Sequence, residues 1–252
     1  MSRVRRLAGQ YRPYAALYPA IAEAARRTGA SAIGLIEVGG AAGFNLITDH
    51  VAITYSDGQC VGDPSSPVRV SASVVGQRPI PPLVIPEVLS RVAVAPDLLD
   101  VTDPEDARWL RACLWADDPE ENARLDAEIR LTAAASPVLL RGDPVELLAE
   151  AVARVPAGAL PVITTAWAVS RLSAARRVRL VQRMADAAAD RAVAWVSTEG
   201  VGVAPTIPTL GDRPASGHSI IGLAVFERST SRPEAIGRCW SRGRLLSWLA
   251  AS

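Results

Sequence analysis

Leu35-Ile36-Glu37-Val38-Gly39-Gly40-Ala41-Ala42-Gly43-Phe44-Asn45-Leu46 is the stretch from which the rest of the chain is read. A short apolar run ends in an acid, breaks into small residues, and resumes with helix-compatible ones. That pattern describes a buried parallel strand handing over through a tight turn to a helix. Gly39 permits a backbone angle that other residues resist, and small residues at Gly40, Ala41 and Ala42 let a ligand approach the main chain. Gly43 lets the next helix pack close, and the N-terminus of that helix offers free amides to an anionic or carboxylate-bearing ligand. The functional reading is a nucleotide-type cofactor site. The plainer reading is an ordinary strand–helix turn. A bulky side chain at Gly39 is expected to abolish cofactor binding while leaving the fold intact.

The 252 residues suit one α/β domain with room for an insertion and a sizeable core. The formal net charge of +1 implies no strong pull toward nucleic acid or a membrane surface. Apart from two histidines every basic side chain is arginine, which excludes a phosphate-binding Gly-Lys-Ser/Thr loop. Cys60, Cys113 and Cys239 are far apart, a spacing that favours neither a metal site nor a disulfide framework. With no apolar run of membrane-spanning length, a soluble cytoplasmic protein is expected.

Outward from the opening stretch, Val4 to Thr28 reads as helical, broken near Pro13 and Pro19 and ended at Gly29. The first strand is Ala32 to Val38, followed by a helix from Ala42 to about Asp49. Val51 to Val75 looks like an inserted β-hairpin turning at Ser56-Asp57-Gly58. Pro79 to Pro86 should be irregular, exposed and free to act as a flap. Strand Arg91 to Ala95 ends at Pro96-Asp97, and Asp103-Pro104 opens a helix through Trp109 to Trp115. Then come helix Glu120 to Ala134, strand Val138 to Arg141, and a helix opened by Asp143-Pro144. Strand Pro161 to Trp167, helix Ser173 to Asp190 and strand Ala192 to Ser197 complete the main series. Ser219 to Glu227 and Ala235 to Trp240 suit a closing antiparallel pair. The expected division is a helical segment over 1–31 and one domain over 32–252 with its insertion at about 51–90. The fold class is α/β: a Rossmann-like, doubly wound, mostly parallel sheet whose ligand lies at the carboxyl ends of the strands.

Each candidate residue carries two readings. Glu37 braces the turn or reaches a cofactor ammonium group through water. Asp97 is a turn residue after Pro96 or the acid that holds ribose hydroxyls. Gly142-Asp143 can meet an adenine amino group, while Asp143 is also a good N-cap. Thr164, Thr165 and Trp167 end the fourth strand, where Trp167 serves as core or as substrate wall. Ser197, Thr198 and Glu199 end the fifth, and Glu199 is a general base or a solvated strand-end acid. His218 is a general base or an exposed loop histidine, and His50 caps a helix end or is exposed. An acceptor pocket is expected between Trp167 and Glu199, lidded by the hairpin and the proline-rich segment.

With these residues in place, the chain resembles a bacterial family known only as domain of unknown function 2332. Its fold is like that of class I S-adenosylmethionine-dependent methyltransferases. The resemblance runs from about Leu35 to Leu249. It is carried by Glu37-Val38-Gly39 through Leu46, Gly62-Asp63-Pro64, Ser66-Pro67-Val68 and Asp100-Val101-Thr102-Asp103 with Arg108-Trp109-Leu110. Val138 to Asp143, Trp195 to Gly200 and Gly243 to Leu249 complete it. The resemblance implies a cofactor site at Glu37, Gly39, Gly43, Asn45, Asp97 and Asp143, with Gly40 and Gly142 in the same turns. Two departures stand out: the helical N-terminal region is cut to about thirty residues, and the tail reads Ser241-Arg242-Gly243 where Pro-His-Gly is usual. The expected activity is methyl transfer from S-adenosylmethionine to a small-molecule acceptor, with no metal. The rivals are a catalytically silent nucleotide-binding or regulatory protein of the same fold, and an NAD(P)-dependent oxidoreductase.

Overall fold

The computed structural model describes residues 12–113, 118–228 and 230–250. The first described helix, α1 (Tyr14–Thr28), is buried without a break from Tyr14 to Ala25. A helix apolar on all sides belongs inside a core, and α1 lies against the sheet near its centre. Pro19 does not break it. A proline leaves the carbonyl four residues earlier without its donor, and here the Tyr55 hydroxyl donates to that Ala15 carbonyl at 2.8 Å. The helix stops at Gly29 in the left-handed conformation (φ 66°), as expected of a C-terminal glycine. The expected helical turns before Pro13 lie largely outside the described residues.

Among the described residues the strands form one eleven-stranded sheet. Its parallel part is centred on β1 (Ala32–Val38), flanked by β5 (Glu87–Ala95) and β7 (Leu160–Ala166), both parallel to it. Beyond β5 lies β6 (Val138–Arg141), and beyond β7 lies β8 (Val193–Gly200), again parallel. The chain leaves β1 toward one neighbour and later returns on the other side, so a crevice opens at their carboxyl ends. Next to β8 runs β9 (Ser219–Glu227), antiparallel, then β10 (Thr230–Trp240), antiparallel to β9.

The insertion makes the hairpin β2 (Ala52–Tyr55) and β3 (Cys60–Gly62), then β4 (Arg69–Val74) parallel to β2. A strand that periodicity did not reveal, β11 (Leu245–Trp248), joins β4 to β10 and fuses the insertion to the main sheet. The proline-rich segment 79–86 is irregular, but Ile80 and Ile85 are buried in the core. The Tyr18 hydroxyl accepts from the Ile85 amide, and the segment runs directly into the amino end of β5. It is therefore anchored, at the end of the sheet opposite the crevice, and cannot serve as the expected flap.

The remaining helices are α2 (Pro104–Ala112), α3 (Pro119–Ala135), α4 (Leu148–Ala153) and α5 (Ala174–Ala187). Asp103, Asp118 and Ser173 accept from backbone amides at the starts of α2, α3 and α5. The helix expected to open at Asp143-Pro144 starts instead at Leu148. Asp143 accepts from the Val145 amide at 2.9 Å and closes a turn there. One face of the sheet packs against α1, the other against α4 and α5, and a smaller cluster joins α2 and α3 to Phe44. Among the described residues no helix is long and apolar enough to cross a membrane.

Candidate functional site

The turn after β1 is where sequence and structure first diverge. Phe44–His50 forms a short 3-10 helix interrupted at Ile47, not the expected α-helix. So short a helix has little dipole to hold an anion. The glycines are needed, though not to admit a ligand. Gly39 has φ +80°, and a Cβ there would lie 2.6 Å from the Ala168 Cβ. A Cβ on Gly40 would lie 2.1 Å from a Glu37 carboxylate oxygen. Gly43 is also left-handed (φ +75°), with ordinary space beside it.

Glu37 is buried at the end of β1, and the Asn45 side-chain amide donates to its Oε1 at 2.6 Å. Its Oε2 and the Asn45 Oδ1 are both buried with no donor among the described residues. Burial, only partly offset by Asn45, pushes the Glu37 carboxyl up to about 7. Behind it sits a network that sequence reading missed. The Tyr14 hydroxyl donates to Glu128 Oε1 at 3.1 Å, and Arg12 pairs with the other Glu128 oxygen. The Arg12 guanidinium also lies 5.2 Å over the Phe44 ring. One signal was legible: Glu128 shares the inward stripe of α3 with Leu125, Ile129 and Thr132, all buried.

At the carboxyl ends of β5 and β6, Asp97 is exposed, in the position where doubly wound folds place a ribose-binding acid. Gly142 (φ +157°) and Asp143 end β6, and Asp143 is exposed and paired with Arg176. A cavity of about 360 Å³ opens here, lined by Ala42, Leu99, Asp100, Thr102 and Arg141 among others. That volume lies in the range of small-molecule sites.

The third group does not assemble as expected. Trp167, at φ 50°, packs with the core on the α1 face and donates its indole N–H to the Ser219 hydroxyl at 2.8 Å. Glu199 shares the strand face of Trp195 and Val201, which pack against α4 and α5. The two side chains therefore lie on opposite faces of the sheet, and the pocket expected between them is not built. Glu199 is not a solvated acid either: it is 1 % exposed, and its Oε1 accepts from the Ala168 and Val169 amides at 3.0 Å each. Burial, against those amides, raises its carboxyl to about 7. Thr164 and Thr165 are buried, with Thr165 accepting from the Trp195 indole at 3.1 Å. Ser197 and Thr198 are buried, and their hydroxyls have no hydrogen-bond partner among the described residues.

His218 is not exposed. Its Nε2 is 2.9 Å from Asp212 Oδ2, its ring lies 5.1 Å from that of Trp240, and Arg238 forks onto the same Asp212. His50 stands half in solvent, with its Nε2 3.0 Å from an Arg91 nitrogen. Among the described residues no group of three or more His, Cys, Asp or Glu is placed to hold a metal ion.

Glu37 and Glu199 tie stability to pH in a definite direction. Both carboxyls bind their proton more tightly folded than at the ordinary value of 4.5. Their contribution is complete below about 4.5, falls as the unfolded chain ionises, and is gone above about 7. Glu37→Gln and Glu199→Gln should each flatten the loss of Tm across that window. Parallel wild-type and variant melting curves against pH would contradict this.

A family model described as "Uncharacterized protein conserved in bacteria (DUF2332)" matches residues 11–248. No curated protein and no solved structure matches the chain. The chain belongs to that bacterial family, whose description assigns no reaction.

Proposed function

We propose that this family member binds S-adenosylmethionine across the carboxyl ends of β1, β5 and β6 and methylates a small molecule. The observation that carries the reading is the pair of buried acceptor oxygens at the turn, Glu37 Oε2 and Asn45 Oδ1, neither with a donor among the described residues. Two orphaned acceptors suit an ammonium group, which brings three donors and a positive charge. They disfavour a pyrophosphate, as does the short 3-10 helix in place of an α-helix N-terminus. A dinucleotide-binding sheet also continues parallel after its fifth strand, whereas β9 runs antiparallel to β8.

The residues present fit the cofactor in kind. Glu37 and Asn45 would face its amino group, Asp97 its ribose hydroxyls, and the 360 Å³ cavity beside Ala42 and Leu99 its base. When bound, the cofactor supplies an electrophilic methyl group on a sulfonium. The chain supplies position: the rigid strand ends fix those contacts, and such placement alone lowers barriers substantially. A silent binder of the same fold is favoured by one feature, the closure of Glu199 against the 168–169 amides. Production of S-adenosylhomocysteine with candidate acceptors separates the two.

Calorimetry with S-adenosylmethionine tests the site. Asp97→Ala should weaken binding by about 1.5–3 kcal/mol, the value of hydrogen bonds to a charged group. Since an ammonium prefers the ionised carboxylate, affinity should rise as pH passes about 7, and Glu37→Gln should remove that rise. No binding by the wild type, or recovery of a nicotinamide dinucleotide from the purified protein, would overturn the reading.

A further inference from the structure

A cavity of about 570 Å³ lies apart from the proposed cofactor site, between α3, the insertion and the tail. It is lined by Pro67, Arg69, Glu120, Ala127, Arg130 and Arg244, with Arg124, Asp118 and Glu121 alongside. Glu120, Arg124, Ala127 and Arg130 recur at helical spacing and form one stripe of α3. The opposite stripe, Leu125, Glu128, Ile129 and Thr132, is buried.

The charges lining the cavity are unevenly committed. Arg124 pairs with Glu121, which Arg12 also approaches at 3.7 Å, and Asp118 caps α3 by accepting from the Glu121 amide at 3.0 Å. Among the described residues, Arg130 and Arg244 form no ion pair, and Arg69 reaches only the Pro64 carbonyl at 3.1 Å. Among the described residues, two acids outside ion pairs, Asp118 and Glu120, thus stand against three guanidinium groups outside ion pairs, an excess of positive charge. Those three arginines come from the start of β4, the middle of α3 and the residue before β11.

Their convergence has a backbone cause. Ser241 and Arg242 both adopt left-handed angles (φ 48° and 61°), and Gly243 (φ 86°) sits where a Cβ would lie 3.1 Å from Pro13. Non-glycine residues at such angles are strained and persist where the surroundings impose them. This bend delivers Arg244 to the start of β11. Leu245 pairs there with Trp240 and Ser73, while Cys239 pairs with Ser219, which also pairs with Gly200 at the end of β8. Arg244 and Arg69 therefore stand at the end of the sheet where the parallel strands open.

We propose that this cavity binds a small organic anion through the forks of Arg69, Arg130 and Arg244. Guanidinium forks match the planar oxygens of a carboxylate or phosphate and bind them bidentately. The inference is independent of the reaction proposed above, and its test uses no S-adenosylmethionine.

The full chain is titrated calorimetrically with inorganic phosphate and with succinate at matched ionic strength, since screening would otherwise imitate specificity. At least one should bind in the millimolar range or tighter. Arg130→Ala with Arg244→Ala should weaken it by roughly tenfold or more. Both side chains are exposed, so the double variant should melt like the wild type without anion. Glu120→Gln should tighten binding, a gain that damage to the fold cannot mimic. Phosphate alone binding assigns a phosphate ester, and succinate alone a carboxylate. Failure of both anions, or equal affinity in the double variant, would overturn the site.

Discussion

Gly39→Val is expected to destabilise the protein by several kcal/mol, enough to unfold much of it at ordinary temperature. Two costs add. A β-branched residue held at φ +80° is strained, of order 1–3 kcal/mol. Its Cβ would also fall 2.6 Å from the Ala168 Cβ, on a turn pinned on one side by Glu199 accepting from the Ala168 amide. Overpacking at such a place costs a further ~1–3 kcal/mol. Total stabilities run at roughly 5–15 kcal/mol, so the sum is a large fraction. Gly43→Ala is the control: it has the same backbone handedness (φ +75°) but its Cβ would meet nothing closer than 3.4 Å, so only ~1–2 kcal/mol should be lost. Urea midpoints measure both, and a Gly39→Val variant as stable as Gly43→Ala would refute the contact with Ala168. The expectation that a bulky residue at 39 removes ligand binding alone is thereby corrected. Loss of binding in that variant reports loss of the fold, and Asp97→Ala is the cleaner probe of the site.

The parallel half of the sheet was legible because its signals are local. Ala32–Val38 and Val138–Arg141 are apolar runs bounded by glycine or proline, and both have the expected limits. Asp103-Pro104 and Ser173 mark helix starts through short-range hydrogen bonds that any sequence window contains. What was not legible depends on long-range partners. Pro19 looked like a break because its rescuer, Tyr55, is 36 positions away and pairs with the carbonyl at Ala15. The β11 strand is short and its neighbours, β4 and β10, come from distant segments. Ile80 and Ile85 looked free among prolines, and only the third dimension shows them in the core.

The candidate site divides in the same way. Glu37, Gly39, Gly40, Gly43 and Asn45 are neighbours in sequence, and the structure keeps them together, with Asn45 as the donor that holds Glu37. Trp167 and Glu199 come from adjacent strands, and strand position alone does not say which face a residue beyond the strand end will take. The left-handed angle at Trp167 turns that side chain to the α1 face, while Glu199 keeps the alternation of β8 toward the other. His218 and Asp212 are six positions apart, yet their partner Arg238 lies on β10, so the histidine's burial could not be inferred locally.

Arg12→Met should cost about 3–5 kcal/mol, through Glu128 more than through the arginine itself. The Glu128 side chain has no exposure and is held by Arg12 and by the Tyr14 hydroxyl. Removing one partner of a buried pair leaves the other charge uncompensated, which costs more than the pair contributed. Tyr14 gives Glu128 a hydrogen bond but no countercharge: burial first and then the Glu128 charge hold its phenol well above the ordinary value, so it stays a neutral donor. Glu128 must then bind a proton in the folded state, so the penalty should shrink as pH falls toward the ordinary carboxyl value of 4.5 and the unfolded chain is protonated too. The double variant Arg12→Met, Glu128→Leu removes both charges and should recover most of the loss, since apolar replacement of a buried pair is often neutral. Chemical denaturation of the wild type, both single variants and the double variant gives the coupling directly. Additive losses, with the double variant the least stable of the four, would show that Arg12 acts through its packing over Phe44 and not through Glu128.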